Sequence, residues 1–258
     1  MNLLRKITIL VILILFNLEL NSQISVYNDF KICPLGIEYK YDNHKIIKSE
    51  NNLYDTFYTA KFGSLTFLDT RFPLKKLAFF KESNSFLVLN NRFGIITYTQ
   101  LDKIGLFESI FVTYSSDGLI WIFDRASNRL LKINENNDIK FQTENPFFYN
   151  NKSYFPSQYF DMKTKMIALD SSFGLFVLDS YGNLLEAIPY ASISKFFVVQ
   201  SYVFLIKEEK IILFDYENNN FKYVKTLTPV DTIKSLFYKQ GSFYYFDGLE
   251  NRKIVLDL

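Results

Sequence analysis

Over 258 residues, 48% hydrophobic content with 28 Phe and 18 Tyr, against 22% charged residues, 9 Gly and 6 Pro, excludes disorder for most of the chain. The 29 basic and 27 acidic residues nearly cancel, and the basic ones are scattered singly or in pairs such as Lys75-Lys76, which argues against a nucleic-acid surface. A single cysteine, Cys33, excludes an intrachain disulfide.

Residues 1–6 are short and basic, residues 7–16 form an apolar run and residues 17–23 turn polar, the three-part layout of a secretory signal. The run falls well short of the roughly 20 residues that a membrane-crossing helix needs, which argues against a permanent anchor. Cleavage after Ser22, to within a few residues, would make Gln23 the new N-terminus. The sequence thus predicts a signal peptide over 1–22 and one domain over 23–258, exported to the periplasm or the extracellular space, with no stable membrane anchor. Cys33 lies too far beyond the apolar run to carry a lipid and is expected to pack near the first strand.

Downstream, residues 36–41 and 45–48 read as strands around a turn that holds His44, the one histidine. Apolar strands follow at 74–80, 110–114, 166–169, 195–199 and 233–238. Interleaved with them is a repeated segment, over 118–128, 174–183, 210–219 and 242–251: an apolar run, an Asp, three variable residues and an Asn. The pairs are Asp124 and Asn128, Asp179 and Asn183, Asp215 and Asn219, Asp247 and Asn251. The aspartates lie 55, 36 and 32 residues apart, and a looser copy around Asn90 sits 34 residues before Asp124. Such a period is near the roughly 40 to 45 residues of a propeller blade.

The repeat has a physical reading. β-Branched and aromatic residues favour a strand, an Asp at the strand end accepts a backbone N–H two residues on, and Asn or Gly tolerates the left-handed conformation that closes the turn. These eight residues are therefore expected to be structural turn residues. Carboxylates at blade spacing also suggest calcium, but one Asp and one Asn per turn supply too few oxygens for a calcium loop. Strands apolar on both faces need cover on both faces, and radial stacking of small sheets provides it. The expected fold is an all-β propeller of about six blades, five or seven also fitting, each an antiparallel sheet of three or four strands. The strands at 36–41 or 45–48 are expected to complete the last blade.

At Ser116-Asp117-Gly118-Leu-Ile-Trp121-Ile-Phe-Asp124-Arg-Ala-Ser-Asn128-Arg-Leu-Leu-Lys-Ile the chain resembles the repeats of bacterial NHL and quinoprotein-like propellers. It also resembles a group of uncharacterised exported small β-propeller proteins of Bacteroidota, in which such a segment follows a strand like the one at 72–80. The resemblance covers residues 63–258 and implies fold and export. It brings no substrate, cofactor or catalytic residue, and it lacks the Trp-Asp pair of WD40 blades, since Ile122 follows Trp121.

No residue stands out as catalytic and no metal or cofactor is expected. With one His and one Cys, a zinc site built from several such ligands cannot be assembled. His44 reads as a surface turn residue and Trp121 as a core aromatic between blades. The long 55-residue interval carries an aromatic, proline-punctuated insertion near 141–160. Its Phe147, Phe148, Tyr149, Tyr154 and Tyr159 are candidate ligand- or partner-binding residues. The function expected is a non-catalytic binding or scaffold propeller of the envelope or extracellular space, its partner another protein there. The alternative is a lyase, hydrolase or lactonase that uses the central channel, which needs convergent acids with metal or histidine. An outer-membrane barrel fits poorly, because the turns recur too closely.

Overall fold

Runs of Val, Ile, Leu and aromatic residues, cut at short intervals by Asn, Asp and Gly, fold almost entirely as antiparallel sheet. The computed structural model describes residues 27–162, 164–199, 202–208, 210–216, 218, 220–226 and 233–256, so the predicted signal peptide 1–22 and the turn residue Asn219 lie outside the described residues.

Blade one comprises β1 (Asp29–Ile32), β2 (Glu38–Tyr41), β3 (Lys45–Glu50) and β4 (Leu53–Tyr58). Blade two comprises β5 (Phe67–Asp69), β6 (Lys75–Phe80), β7 (Ser85–Asn90) and β8 (Ile95–Gln100). Blade three comprises β9 (Ser109–Tyr114), β10 (Ile120–Asp124), β11 (Arg129–Ile133) and β12 (Ile139–Glu144), and a small hairpin of β13 (Phe148–Tyr149) and β14 (Lys152–Ser153) follows it. Blade four comprises β15 (Gln158–Asp161), β16 (Lys165–Asp170), β17 (Gly174–Asp179) and β18 (Leu184–Pro189). Blade five comprises β19 (Ile193–Val199), β20 (Tyr202–Lys207), β21 (Lys210–Asp215) and β22 (Asn220–Thr226), and blade six β23 (Ser235–Lys239), β24 (Ser242–Phe246) and β25 (Asn251–Ile254).

Within each blade consecutive strands pair in order. The first strands meet around the axis: β9 touches β15, β15 touches β19, β19 touches β23 and β23 touches β1. Lys31 of β1 lies over the Phe67 ring of β5, and Asp69 of β5 accepts hydrogen bonds from β9. The six sheets form a six-bladed β-propeller. One end of the ring carries the turns between strands one and two and between strands three and four, and we call it the hairpin end. The other, the crossover end, carries the turns between strands two and three and the links from blade to blade.

Each blade interface holds its own buried cluster, and strand alternation supplies both sides. On β6, Leu77 and Phe79 join the core shared with blade three, while Ala78 and Phe80 join the one shared with blade one. Trp121 and Phe123 meet Met166 and Phe176 between blades three and four. Ile167 and Leu169 meet Leu205 and Phe214 between four and five, and Phe204 and Ile211 meet Leu236 between five and six. The ring closes where Phe30 of β1 packs on Phe237 and Phe246 of blade six, with ring centroids 4.7 and 5.6 Å apart.

Two expectations are corrected. The strands at 36–41 and 45–48 do not complete the last blade: as β2 and β3 they pair with each other and with β1 and β4 in a blade of their own. The four Asp segments also do not mark one blade position. Asp124 ends a second strand and Asp247 directly follows one, whereas Asp179 and Asp215 end third strands. The long interval between Asp124 and Asp179 therefore combines a slip of one strand with the extra hairpin.

Gly174 opens β17 at φ +139°, and a Cβ there would collide with the backbone of Ile188 and Tyr190. Gly174→Ala is expected to cost about 2 kcal/mol or more in denaturant unfolding. Gly36→Ala, at φ +78° but with open space around it, should cost only about 1 kcal/mol.

Candidate functional site

The innermost strand of a blade has one edge without a partner strand, so its backbone groups need side chains to satisfy them. At the hairpin end of blades two to four, Asp69 does this. Its Oδ2 accepts from the Tyr114 backbone N–H (3.0 Å) and from Thr113 Oγ1 (2.8 Å) on β9. Arg71, two residues on, turns its guanidinium back onto Asp69, with Nε 3.1 Å from both carboxylate oxygens and Nη2 2.7 Å from Oδ2. Nη2 also donates to Thr113 Oγ1 (2.8 Å) and to the Tyr114 carbonyl, and Nη1 donates to the Asp161 carbonyl (3.0 Å) at the end of β15. The guanidinium lies over the Phe160 ring, 4.9 Å from its centre. The Asp161 carboxylate in turn accepts from Ser115 Oγ and Trp121 Nε1, both at 3.0 Å. One ion pair and its neighbours thus join three blades beside the axis.

Burial by itself would raise the Asp69 carboxyl, yet the Arg71 charge and the hydrogen bonds from Arg71 and Thr113 hold it below its ordinary value of 3.8. Two buried lysines make further links. Burial pushes the Lys76 ammonium down. Its Nζ donates to the carbonyls of Phe72 (2.9 Å) and Pro73 (3.0 Å) and to Asn91 Oδ1 (3.1 Å), and it faces the Tyr39 ring of blade one. Lys132 lies over Trp121 and donates to Asp117 (2.8 Å) and to the Ser180 carbonyl of blade four (3.2 Å). Such groups hold blades together and position the loops above them. Among the described residues no three His, Cys, Asp or Glu side chains gather as metal ligands.

The aromatic insertion is placed differently from its sequence reading. Phe147 is 0% exposed, packed edge-on against Phe123 and Phe176, and Tyr159 is buried beside Phe111. Neither can meet a partner in the folded ring, because both fill the core between blades three and four. Tyr149 and Tyr154 are half-buried against Phe173, and Phe148, 46% exposed, is the one that faces solvent. The hairpin around Asn150 and Asn151, both at positive φ, folds these rings inward over the crossover end.

The turn residues are local ties. Asp124 accepts from the N–H groups of Ser127 (2.9 Å) and Glu108 (2.7 Å), with Asn128 at φ 54°. Asp179 accepts from Tyr181 (2.8 Å) and Asn183 (2.9 Å), but Gly182 rather than Asn183 takes the positive φ. Asp215 accepts from Asn218 (3.2 Å), and Asp247 from Leu249 (2.8 Å) and Glu250 (2.9 Å), while Asn251 opens β25 opposite Phe246. His44 is in the turn between β2 and β3, its N–H donating to Asp42 (2.8 Å), and Cys33 is buried between blades one and two.

Sequence reading missed two features of the hairpin end. One is the Asp69 and Arg71 pair, whose signal was an Asp at a strand end with Arg two residues on. The other is a set of large apolar side chains held in solvent there: Leu35, Leu74, Ile139, Tyr181 and Val255, from blades one, two, three, four and six. Leu74 is 69% exposed.

No family model and no curated protein matches this sequence. Solved structures do. The chain is similar to virginiamycin B lyase from Staphylococcus aureus, with a TM-score of 0.64 at 12% identity over 92% of this chain and 86% of that one. A catalytically inactive histidine-to-alanine form of that lyase was solved with quinupristin. A chain of the mitotic checkpoint complex matches with a TM-score of 0.57 at 12% identity, over 87% of this chain and 72% of that one. The extracellular domain of BT3049, described as a hybrid two component system of B. thetaiotaomicron, matches with a TM-score of 0.54 at 10% identity, over 86% of this chain and 32% of that one. At these identities the likeness is one of fold.

Because folding lowers the Asp69 pKa, its contribution to stability is fully present above pH 3.8 and is lost as the pH falls through the folded-state value. Asp69→Asn is expected to cost about 2 kcal/mol at pH 7, because it leaves the partly buried Arg71 without its countercharge. The variant should also show a flatter loss of stability below pH 4 than the parent, as about one carboxyl fewer titrates. Urea unfolding at a series of pH values measures both.

Proposed function

We propose that this chain is a non-catalytic binding or scaffold propeller, exported through residues 1–22, which engages a protein partner with the hairpin end of its ring. The observation that carries the reading is the set of exposed apolar side chains there, contributed by five blades. Large apolar groups exposed at loop tips are the usual material of a protein interface core. Similarity to a chain of the mitotic checkpoint complex and to an extracellular domain agrees with a partner and with a place outside the cell.

The enzyme reading draws on the likeness to virginiamycin B lyase and on Arg71, whose side chain is 25% exposed. That lyase is inactive in its histidine-to-alanine form. Here the one histidine, His44, lies at the crossover end, opposite Arg71, with its backbone held by Asp42. The group on which lyase chemistry would depend is therefore not beside the polar cluster, and binding is the better reading.

The test is partner retention by immobilised wild-type protein from the envelope and medium of its own host. Leu74→Glu with Tyr181→Glu, both at exposed positions, should weaken retention about tenfold or more, while Phe148→Glu at the other end leaves it unchanged. Loss with Phe148→Glu alone would move the contact to the insertion and overturn the assignment of the hairpin end. Conversion of quinupristin by the wild-type protein would overturn the non-catalytic reading.

A further inference from the structure

The outermost strand of a blade has a far edge without a partner among the described residues, and such an edge is open to pairing with another chain. Charged residues and proline discourage that. Four of the five fourth strands carry them: Asp55 in β4, Lys140 and Glu144 in β12, Glu186 and Pro189 in β18, Lys222 and Lys225 in β22. In blade six, β25 has Arg252 and Lys253. The sequence of β8, Ile-Ile-Thr-Tyr-Thr-Gln, holds neither a charge nor a proline, and its Ile95, Ile96 and Tyr98 are 44%, 43% and 43% exposed. The strand is also held firmly from within the ring. Tyr98 packs on Phe62 with ring centroids 5.2 Å apart, and Thr99 Oγ1 donates to Asn137 of blade three (2.9 Å).

Pairing with β7 sets the direction of the backbone groups. Leu101 donates its N–H inward to the Asn84 carbonyl (2.9 Å), and Thr99 and Thr97 lie opposite Phe86 and Val88. Alternation therefore turns the N–H groups of Thr97 and Thr99 inward and that of Tyr98 outward. The Ile96 carbonyl, trans to the Thr97 N–H across their shared peptide, points outward as well.

We propose that β8 pairs antiparallel with β8 of a second copy of this chain about a two-fold axis at Thr97, joining two four-stranded blades in one sheet. The Tyr98 N–H of each copy then donates to the Ile96 carbonyl of the other. The same register sets Ile96 beside Tyr98 twice and Thr97 beside Thr97, all favourable cross-strand pairs. Just beyond the strand ends it places Arg92 opposite Asp102 of the second copy, again twice, and Lys103 opposite the neutral Asn91. Arg92 and Asp102 are exposed, and neither is in an ion pair among the described residues. This complementarity of one strand with itself is what selects a second copy as the occupant.

Sedimentation equilibrium of the purified chain between about 1 and 300 µM tests the proposal. The mean mass should rise toward twice that of the chain, with the Tyr98 amide exchanging more slowly at the concentrations where the dimer forms. Ile96→Lys should keep the chain monomeric. Arg92→Asp and Asp102→Arg should each weaken association about tenfold, and the two together should restore it. Leu74→Glu with Tyr181→Glu should leave association unchanged, because the hairpin end is a separate surface. Urea unfolding of each variant separates loss of association from loss of the fold, and should Ile96→Lys not fold, the charge reversals carry the comparison. A monomer at every concentration would overturn the proposal. So would a dimer that survives Ile96→Lys, since the copies would then meet elsewhere, or a double reversal no stronger than the single ones. A wild-type chain that stays monomeric but loses its partner with Ile96→Lys would assign β8 to a different protein.

Discussion

A sheet that is apolar on both faces cannot stand alone in water, and the rest of this structure follows from that constraint. On β6, Leu77 and Phe79 point one way and Ala78 and Phe80 the other, and all four are buried. With about 1.5 to 3 kcal/mol for each large side chain removed from water, neither face of such a blade can be left open. Two packed sheets would cover one face of each. A closed ring covers both faces of every blade, which is why each interface has its own cluster and why the interface of blades six and one, with Phe30, Phe237 and Phe246, is as necessary as the larger ones.

Closing the ring moves the difficulty from the faces to the inner edges. Six first strands meet around the axis with one edge unpaired, and polar side chains satisfy them. Asp69 and Arg71 do so across blades two, three and four. Gln158 accepts from the Phe196 N–H and donates to the Ser194 carbonyl, both at 3.0 Å, between blades four and five, and Lys195 donates to the Ile233 carbonyl (2.7 Å) toward blade six. A buried ion pair is weak support for net stability, because desolvation offsets much of its attraction, but breaking one partner is costly. The pair therefore sets how neighbouring blades align more than how strongly they adhere. The same side chains would have to be free for catalysis in the channel.

The fold was legible because strand and turn chemistry repeat: apolar runs ending in Asp, with Asn or Gly to reverse the chain, predicted hairpins at blade spacing. The position of each repeat within its blade was not legible, since a turn between strands two and three uses the same residues as one between strands three and four. That ambiguity hid blade one, whose β4 carries exposed Leu53, Tyr54 and Tyr58 in place of an apolar run. The insertion misled for a related reason. Composition marks Phe147 and Phe148 alike, but the turn that leads into β13 sends Phe147 into the core and leaves Phe148 facing solvent. The Asp69 and Arg71 pair was legible only as two charged residues near a strand end. Its partners on β9 and β15 lie 42 and 90 residues away in sequence.

Asp69 and Arg71 act as a structural pair that joins blades two, three and four. A double-mutant cycle with Asp69→Asn and Arg71→Met, read by urea unfolding and by partner retention on the same proteins, tests it most directly. The account predicts a coupling energy of about 2 kcal/mol or more, with retention kept in every variant that is folded at the assay temperature. Independent, additive effects on unfolding, together with loss of partner retention in a folded variant, would contradict it.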